Sequence, residues 1–190
     1  MTHVSTTGQL LIATPAIGDG TFDQSVIYML HHDAVGALGV IINQPSEIVI
    51  DELLPRWSDL ANKPPVIFTG GPVEPNGFIG VGRSAVGAKP DDTDGHAASV
   101  PGTDLVTVDL DGDPALASAR IDRLRIFRGY AGWAPNQLDS EVGSGAWFTV
   151  PALASDMWTE NPSEIYESVL LRQQGTMRWF ANAPRDLSQN

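Results

Sequence analysis

Two short apolar runs joined by a four-residue turn constrain this chain more than any other feature. Ser25–His32 alternates, with Ser25, Ile27, Met29 and His31 on one strand face and Val26, Tyr28, Leu30 and His32 on the other. Asp33-Ala34-Val35-Gly36 supplies turn residues, and Leu38–Asn43 follows with Leu38, Val40, Ile41 and Ile42. The second run is apolar on both faces, the pattern of a central strand. Together they predict an antiparallel hairpin inside a sheet.

Around the hairpin the order is mixed. Strands are expected at Gly8–Ala13, Val66–Thr69, Gly77–Val81, Asp104–Leu110, Leu124–Gly129 and Ala146–Val150. Short helices are expected at Ile50–Asp59, weakened by Pro55, at Pro114–Ala119 behind an Asp113 cap, and at Asn136–Val142. Ser163–Gln174 carries the strongest helix signature. Asn161 stands as cap, Pro162 at the first position and Glu164 as the capping-box acid, with Ile165, Tyr166, Val169 and Leu170 as the apolar stripe. Hairpins beside isolated helices point to an α+β domain rather than to a doubly wound sheet. Residues 1–7 are expected to be a disordered tail, residues 8–190 a single domain, and residues 84–103, rich in Ala, Gly, Asp and Pro, a mobile loop.

Charge and composition exclude several functions. Eleven Lys and Arg against 23 Asp and Glu give a formal charge of −12. Direct nucleic-acid binding is disfavoured, because it draws on cations that displace phosphate counterions. There is no cysteine, which removes thiolate catalysis, disulfides and cysteine-ligated metals. The first residues show no targeting signal and no apolar run is long enough for a bilayer, so a cytoplasmic protein without membrane association is expected.

Catalytic motifs fail on spacing. Asp109-Leu110-Asp111-Gly112-Asp113 misplaces the glycine of a calcium loop, and Gly80-Val81-Gly82 lacks the third glycine of a dinucleotide turn. Asp91, Asp92, Asp94 and His96 suit a solvated loop better than a metal site, so no metal and no cofactor are expected. His31 and His32 are consecutive on a strand and cannot ligate one metal together. His32, read as sharing the Tyr28 face, is the better site candidate. A Ser25–His32 nucleophilic pair is disfavoured, since alternation sets the two on opposite faces. Arg120, Arg123, Arg125 and Arg128 are expected to pair with the chain's own carboxylates rather than to form an anion pocket.

Two stretches point more strongly to a site. Gly70-Gly71-Pro72-Val73 follows a strand with two unrestricted residues and a rigid one, a geometry that can present backbone N–H groups. Gly129-Tyr130-Ala131-Gly132-Trp133 sets small residues beside aromatics and runs into Asn136, Gln137, Asp139 and Glu141, a composition that can wall a pocket.

These stretches and the hairpin carry a resemblance. Leu10-Leu11-Ile12-Ala13-Thr14-Pro15 with Phe22–Tyr28, His32–Pro45, Phe68–Val73, and Gly129–Trp133 with Gln137–Glu141 resemble, in order, four blocks of the AlgH/YqgE family of bacterial proteins. Asp139 stands where that family more often has Glu, and Leu30-His31 replaces a pair often containing Cys and Glu. The resemblance implies an α+β fold whose mixed, strongly curved sheet forms a pseudo-barrel flanked by helices. It implies no established reaction. One branch carries a name linked to transcriptional regulation, which for so acidic a chain would run indirectly, through a partner or ligand.

The function expected is therefore a non-enzymatic regulatory or binding module for a small ligand or protein partner. Its candidate pocket comprises Ser25, His32, Asn43, Gly70, Gly71, Pro72, Tyr130, Gly132, Trp133, Gln137 and Glu141. The enzymatic alternative is a hydrolase or similar enzyme using His32, Asp139 or Glu141 as general acid or base. Sequence leaves the oligomeric state open.

Overall fold

The structure is a computed structural model that describes residues 4–18, 20–85, 97–175 and 177–180. Its strands are β1 (Gln9–Ala13), β2 (Val26–Asp33), β3 (Gly36–Ile41), β4 (Pro45–Val49), β5 (Val66–Thr69), β6 (Val73–Ser84), β7 (Ala97–Ser99), β8 (Leu105–Val108), β9 (Ile121–Trp133) and β10 (Trp147–Pro151). Its helices are α1 (Ile50–Leu53), α2 (Pro114–Ser118), α3 (Gln137–Gly143), α4 (Ala154–Trp158), α5 (Ile165–Leu171) and α6 (Met177–Phe180).

The sheet runs β10-β1-β2-β3-β9-β6-β8-β7, with β5 joining β4 to β9. It curls into a half-barrel of mainly antiparallel strands with helices packed on it; β5 against β9 is the parallel exception. β2 and β3 form the expected hairpin, pairing Ile27 with Ile41 and Asp33 with Gly36. Alternation buries both faces. Leu10, Ile12, Val26, Tyr28, Val40, Phe68 and Phe127 join Met157, Ile165 and Val169 of α4 and α5 in one cluster. Leu11, Ile27, Met29, Ile41, Ala131, Trp133 and Trp147 join Leu138 of α3 in another. A third cluster sets Ile67, Leu124 and Ile126 against Ile50 and Trp57.

Strand β9 organises the sheet. Its first two-thirds pair with β6 on one side and β5 on the other, and its last three residues pair with β3. Gly129, at φ 67°, marks the change of partner. A β-carbon on Gly70, Gly71 or Gly129 would overlap the facing backbone of Gly129, Tyr130 or Gly71. The glycines of both motifs thus let the chain after β5 cross against β9, backbone on backbone.

Several elements differ from expectation. The helix over Ser163–Gln174 is a 3-10 turn, Pro162–Glu164, followed by α5, and Asn161 makes no side-chain cap bond. Pro55 divides the Ile50–Asp59 helix into α1 and a 3-10 turn. Strand β9 runs through Gly129–Trp133, where a strand end was expected. Ser5, Thr6 and Thr7, placed in a tail, are hydrogen-bonded to His32. Within the expected loop, Ser84 ends β6 and Ala97–Ser99 pairs with β8; residues 86–96, with the Asp91–His96 cluster, lie outside the described residues.

Candidate functional site

The hairpin carries a β-bulge that sequence alternation does not show. Met29 faces Gly39, but His31 faces Leu38, so Leu30 is the extra residue. Beyond it the faces exchange. His32 faces Ala37, a member of the Met29 cluster, and leaves the Tyr28 face to which alternation assigned it. That carries it under α3. The Ser25–His32 pair is therefore not divided by the sheet; it is excluded by distance, since seven residues of strand span roughly 20 Å. The Ser25 hydroxyl is fully buried, with no hydrogen-bond partner.

His32 is 5% exposed and fully engaged. Its Nδ1 accepts from the Thr6 N–H at 3.3 Å and lies 3.0 Å from Thr6 Oγ1. Acceptance at Nδ1 leaves the proton of the neutral ring on Nε2, which faces Asp139 Oδ1 at 4.0 Å. Its backbone accepts from Ser5 Oγ at 2.8 Å and donates to Thr7 Oγ1 at 2.9 Å. The His32 ring and backbone together fasten the N-terminal segment to the hairpin, with Asp139 of α3 facing the ring.

Glu141 belongs to a different arrangement. Its Oε2 accepts the indole N–H of Trp133 at 2.9 Å and of Trp147 at 2.8 Å, and its Oε1 accepts the Gln137 amide at 2.9 Å. Gln137 Oε1 in turn accepts from the Ala134 N–H. Asp139 and Glu141 lie two apart on α3, so they project in different directions. His32 and Asp139 approach one another, whereas Glu141 is committed to holding two tryptophans.

Asn43 closes the entry to β2. Its Oδ1 accepts from the Val26 N–H and its Nδ2 donates to the Gln24 carbonyl, each at 2.8 Å. Gly70 and Gly71 are buried in the crossing, and Pro72 is exposed. The Gly70 N–H is taken by the Arg128 carbonyl at 2.8 Å.

A cleft of about 410 Å³ opens between the hairpin turn, the start of β6 and the end of β9. Leu38, Val73, Tyr130, Gly132 and Trp133 give it an apolar lining. Val35, 76% exposed at the hairpin tip, stands over it. At the rim His31 Nε2 meets Asp33 Oδ2 at 2.9 Å. The Val35 N–H and His31 hold the Asp33 carboxyl below its ordinary range. Of the expected pocket residues, Tyr130, Gly132 and Trp133 line this cleft. Ser25, His32, Asn43, Gly70, Gly71, Pro72, Gln137 and Glu141 do not line it. Val35, Leu38 and Val73 were missed, because an apolar residue facing a cleft has the same sequence pattern as one facing the core.

The arginines divide. Arg83, outside the expected group, pairs with Asp122, and Arg172 with Asp156. Arg128 turns to the Pro75 carbonyl and Asn76. Arg125, expected beside a carboxylate, instead donates to two carbonyls from inside the core. Among the described residues no group of three or more His, Asp or Glu could hold a metal ion, and no helix is long and apolar enough to cross a membrane.

Comparison with known proteins agrees with this architecture. The chain is 40% identical over 191 residues to a UPF0301 protein of Streptomyces avermitilis, covering all of this chain and 98% of that one. It is 38% identical to a UPF0301 protein of Mycobacterium tuberculosis, covering 96% and 90%. The crystal structure of protein DIP2367 from Corynebacterium diphtheriae superposes with a TM-score of 0.84 at 30% identity, covering 92% of this chain and 90% of that one. The solution structure of the AlgH protein from Pseudomonas aeruginosa gives a TM-score of 0.68 at 26% identity, covering 97% of each. The profile described as DUF179, AlgH-like, matches residues 10–178, and the chain belongs to that family.

Proposed function

We propose that this protein is a non-enzymatic binding module whose ligand, a small molecule with an apolar or aromatic face, occupies the cleft between the hairpin turn and β9. The observation that carries the reading is the cleft itself. It has the volume of a small-molecule site, an apolar wall of Leu38, Val73, Tyr130 and Trp133, and a polar pair at one rim for orientation. Two of the three residues expected to act as acid or base are committed to structure. Glu141 accepts three hydrogen bonds, and His32 secures Thr6.

The cleft rests on rigid elements. Tyr130, Gly132 and Trp133 stand on β9, and Leu38 on β3, strands held together by pairing at Ala37, Leu38 and Gly39. Such a site needs little ordering on binding. A ligand signal passed to a partner protein would account for regulation without contact to nucleic acid, in keeping with the −12 charge.

A thermal-shift screen of aromatic and apolar fragments tests the reading with wild type and Gly132→Leu. A β-carbon at Gly132 meets only side-chain atoms, at 3.3 Å or more, so the variant can fold with the cleft filled. Hits that stabilise wild type and fail on the variant support the site. Hits indifferent to the substitution place binding elsewhere.

A further inference from the structure

We infer that the ligand of the cleft is an aryl-alkyl amine, held by its ammonium group at Asp33 and by its aromatic end at Tyr130; the inference rests on the cleft being a ligand site. One face of the sheet carries both ends. His31 of β2 pairs with Leu38 of β3, and Leu38 with Gly132 of β9, so the three form one row across the cleft. Asp33 lies two residues beyond His31, and Tyr130 two before Gly132. Alternation sets all of them on the same face. A β-carbon at Gly132 would lie 3.3 Å from Tyr130 Cε2 and 3.5 Å from Val73 Cγ2, so the Tyr130 ring leans over the glycine.

Asp33 supplies the charge. Its Oδ1 accepts from the Val35 N–H at 2.8 Å, and its Oδ2 meets His31 Nε2 at 2.9 Å. A carboxylate offers about four acceptor sites, so about two remain, on a side chain that is 45% exposed. Among the described residues lining the cleft there is no Lys or Arg, so no fixed ammonium or guanidinium neutralises it there. An ammonium group brings both donors and the opposite charge. An anion would meet Asp33 and a formal charge of −12 on the whole chain.

The opposite wall supplies the apolar seat. Leu38, Val73 and Tyr130 are half-buried and have surface left to cover. A second aromatic ring can stack offset on Tyr130. β2 and β9 stand two strand spacings apart, about 10 Å. A four-carbon chain between ammonium and phenyl spans that width, whereas a small cation reaches one wall only.

The test titrates wild type with 4-phenylbutylamine, 4-phenylbutanol and 4-phenylbutyrate at constant ionic strength, read by the amide NMR signals of Val35, Leu38 and Gly132. The pH is held at about 8, above the range in which an imidazole usually gains charge. The amine should reach half-saturation at a concentration about threefold to fivefold below the alcohol, the advantage of a partly exposed ion pair. The butyrate should bind most weakly. Asp33→Asn, which keeps an acceptor for the Val35 N–H, should remove the advantage of the amine over the alcohol. Equal binding of amine and alcohol, tightest binding of the butyrate, or an amine advantage that survives in Asp33→Asn overturns this inference and leaves the cleft standing as a ligand site. Failure of all three compounds to move these amides overturns both.

Discussion

Trp147 donates its indole N–H to Glu141 Oε2 across 2.8 Å, and Trp133 reaches the same oxygen from the other side at 2.9 Å. One carboxylate on α3 thereby joins the last residue of β9 to the first residue of β10. The two rings meet edge to face, with centroids 6.0 Å apart.

Glu141→Ala leaves both indole N–H groups, on residues only 8% and 2% exposed, without an acceptor. A loss of about 2–4 kcal/mol is expected in urea unfolding, since each stranded buried donor costs about 1–3 kcal/mol. Tryptophan fluorescence should change with it. An unchanged urea midpoint would show that Glu141 does not hold the tryptophans.

Gly71 has φ 152° and a β-carbon there would overlap Tyr130. Gly71→Ala should therefore cost about 3 kcal/mol or more, through strain and displaced backbone. Gly143 is the control. It closes α3 without positive φ and has open space around its β-carbon position, so Gly143→Ala should add about 0.5–1 kcal/mol. Urea unfolding of the two variants, side by side, separates the crossing from a general intolerance of added methyls.

The His32 ring accepts the Thr6 N–H, so His32→Ala should raise hydrogen exchange at Thr6, while β1 and β3 amides stay protected. Equal protection in the variant would mean the segment is held by other contacts.

Burial, reinforced by Asp104 and opposed by the Thr103 hydrogen bond, pushes the Tyr28 phenol from 10.0 up to about 12. The neutral form is favoured in the fold, so this stabilisation is complete below pH 10 and is lost as pH rises through about 12. Two pKa units correspond to roughly 2–3 kcal/mol as an upper bound. Tyr28→Phe should remove that alkaline loss, and its tyrosinate absorbance difference from wild type should show the late titration. A Tyr28 midpoint near 10 would contradict the burial argument.

The main sheet was legible in the sequence where apolar runs were continuous. β1, the β2–β3 hairpin, β5, β8 and β10 all fall where alternation and turn residues place them. β9 reads short because Arg123 interrupts the pattern before Leu124 and Gly129 and Gly132 read as loop residues after it, and only the structure shows Arg125 inside the core. β4 and α4 carry too few apolar residues to stand out. The bulge at Leu30 leaves no local signature, yet it decides which way His32 faces. The glycine motifs were visible as motifs; their use, a backbone crossing, depends on residues some sixty positions apart.

The most direct measurement on the proposed ligand site is an amide NMR titration of wild type with fragments that raise its melting temperature. Saturable shifts confined to Val35, Gly36, Leu38, Val73, Tyr130, Gly132 and Trp133, and lost in Gly132→Leu, are expected. Shifts centred elsewhere, or a fragment series that moves none of these amides, would contradict a binding function for this cleft.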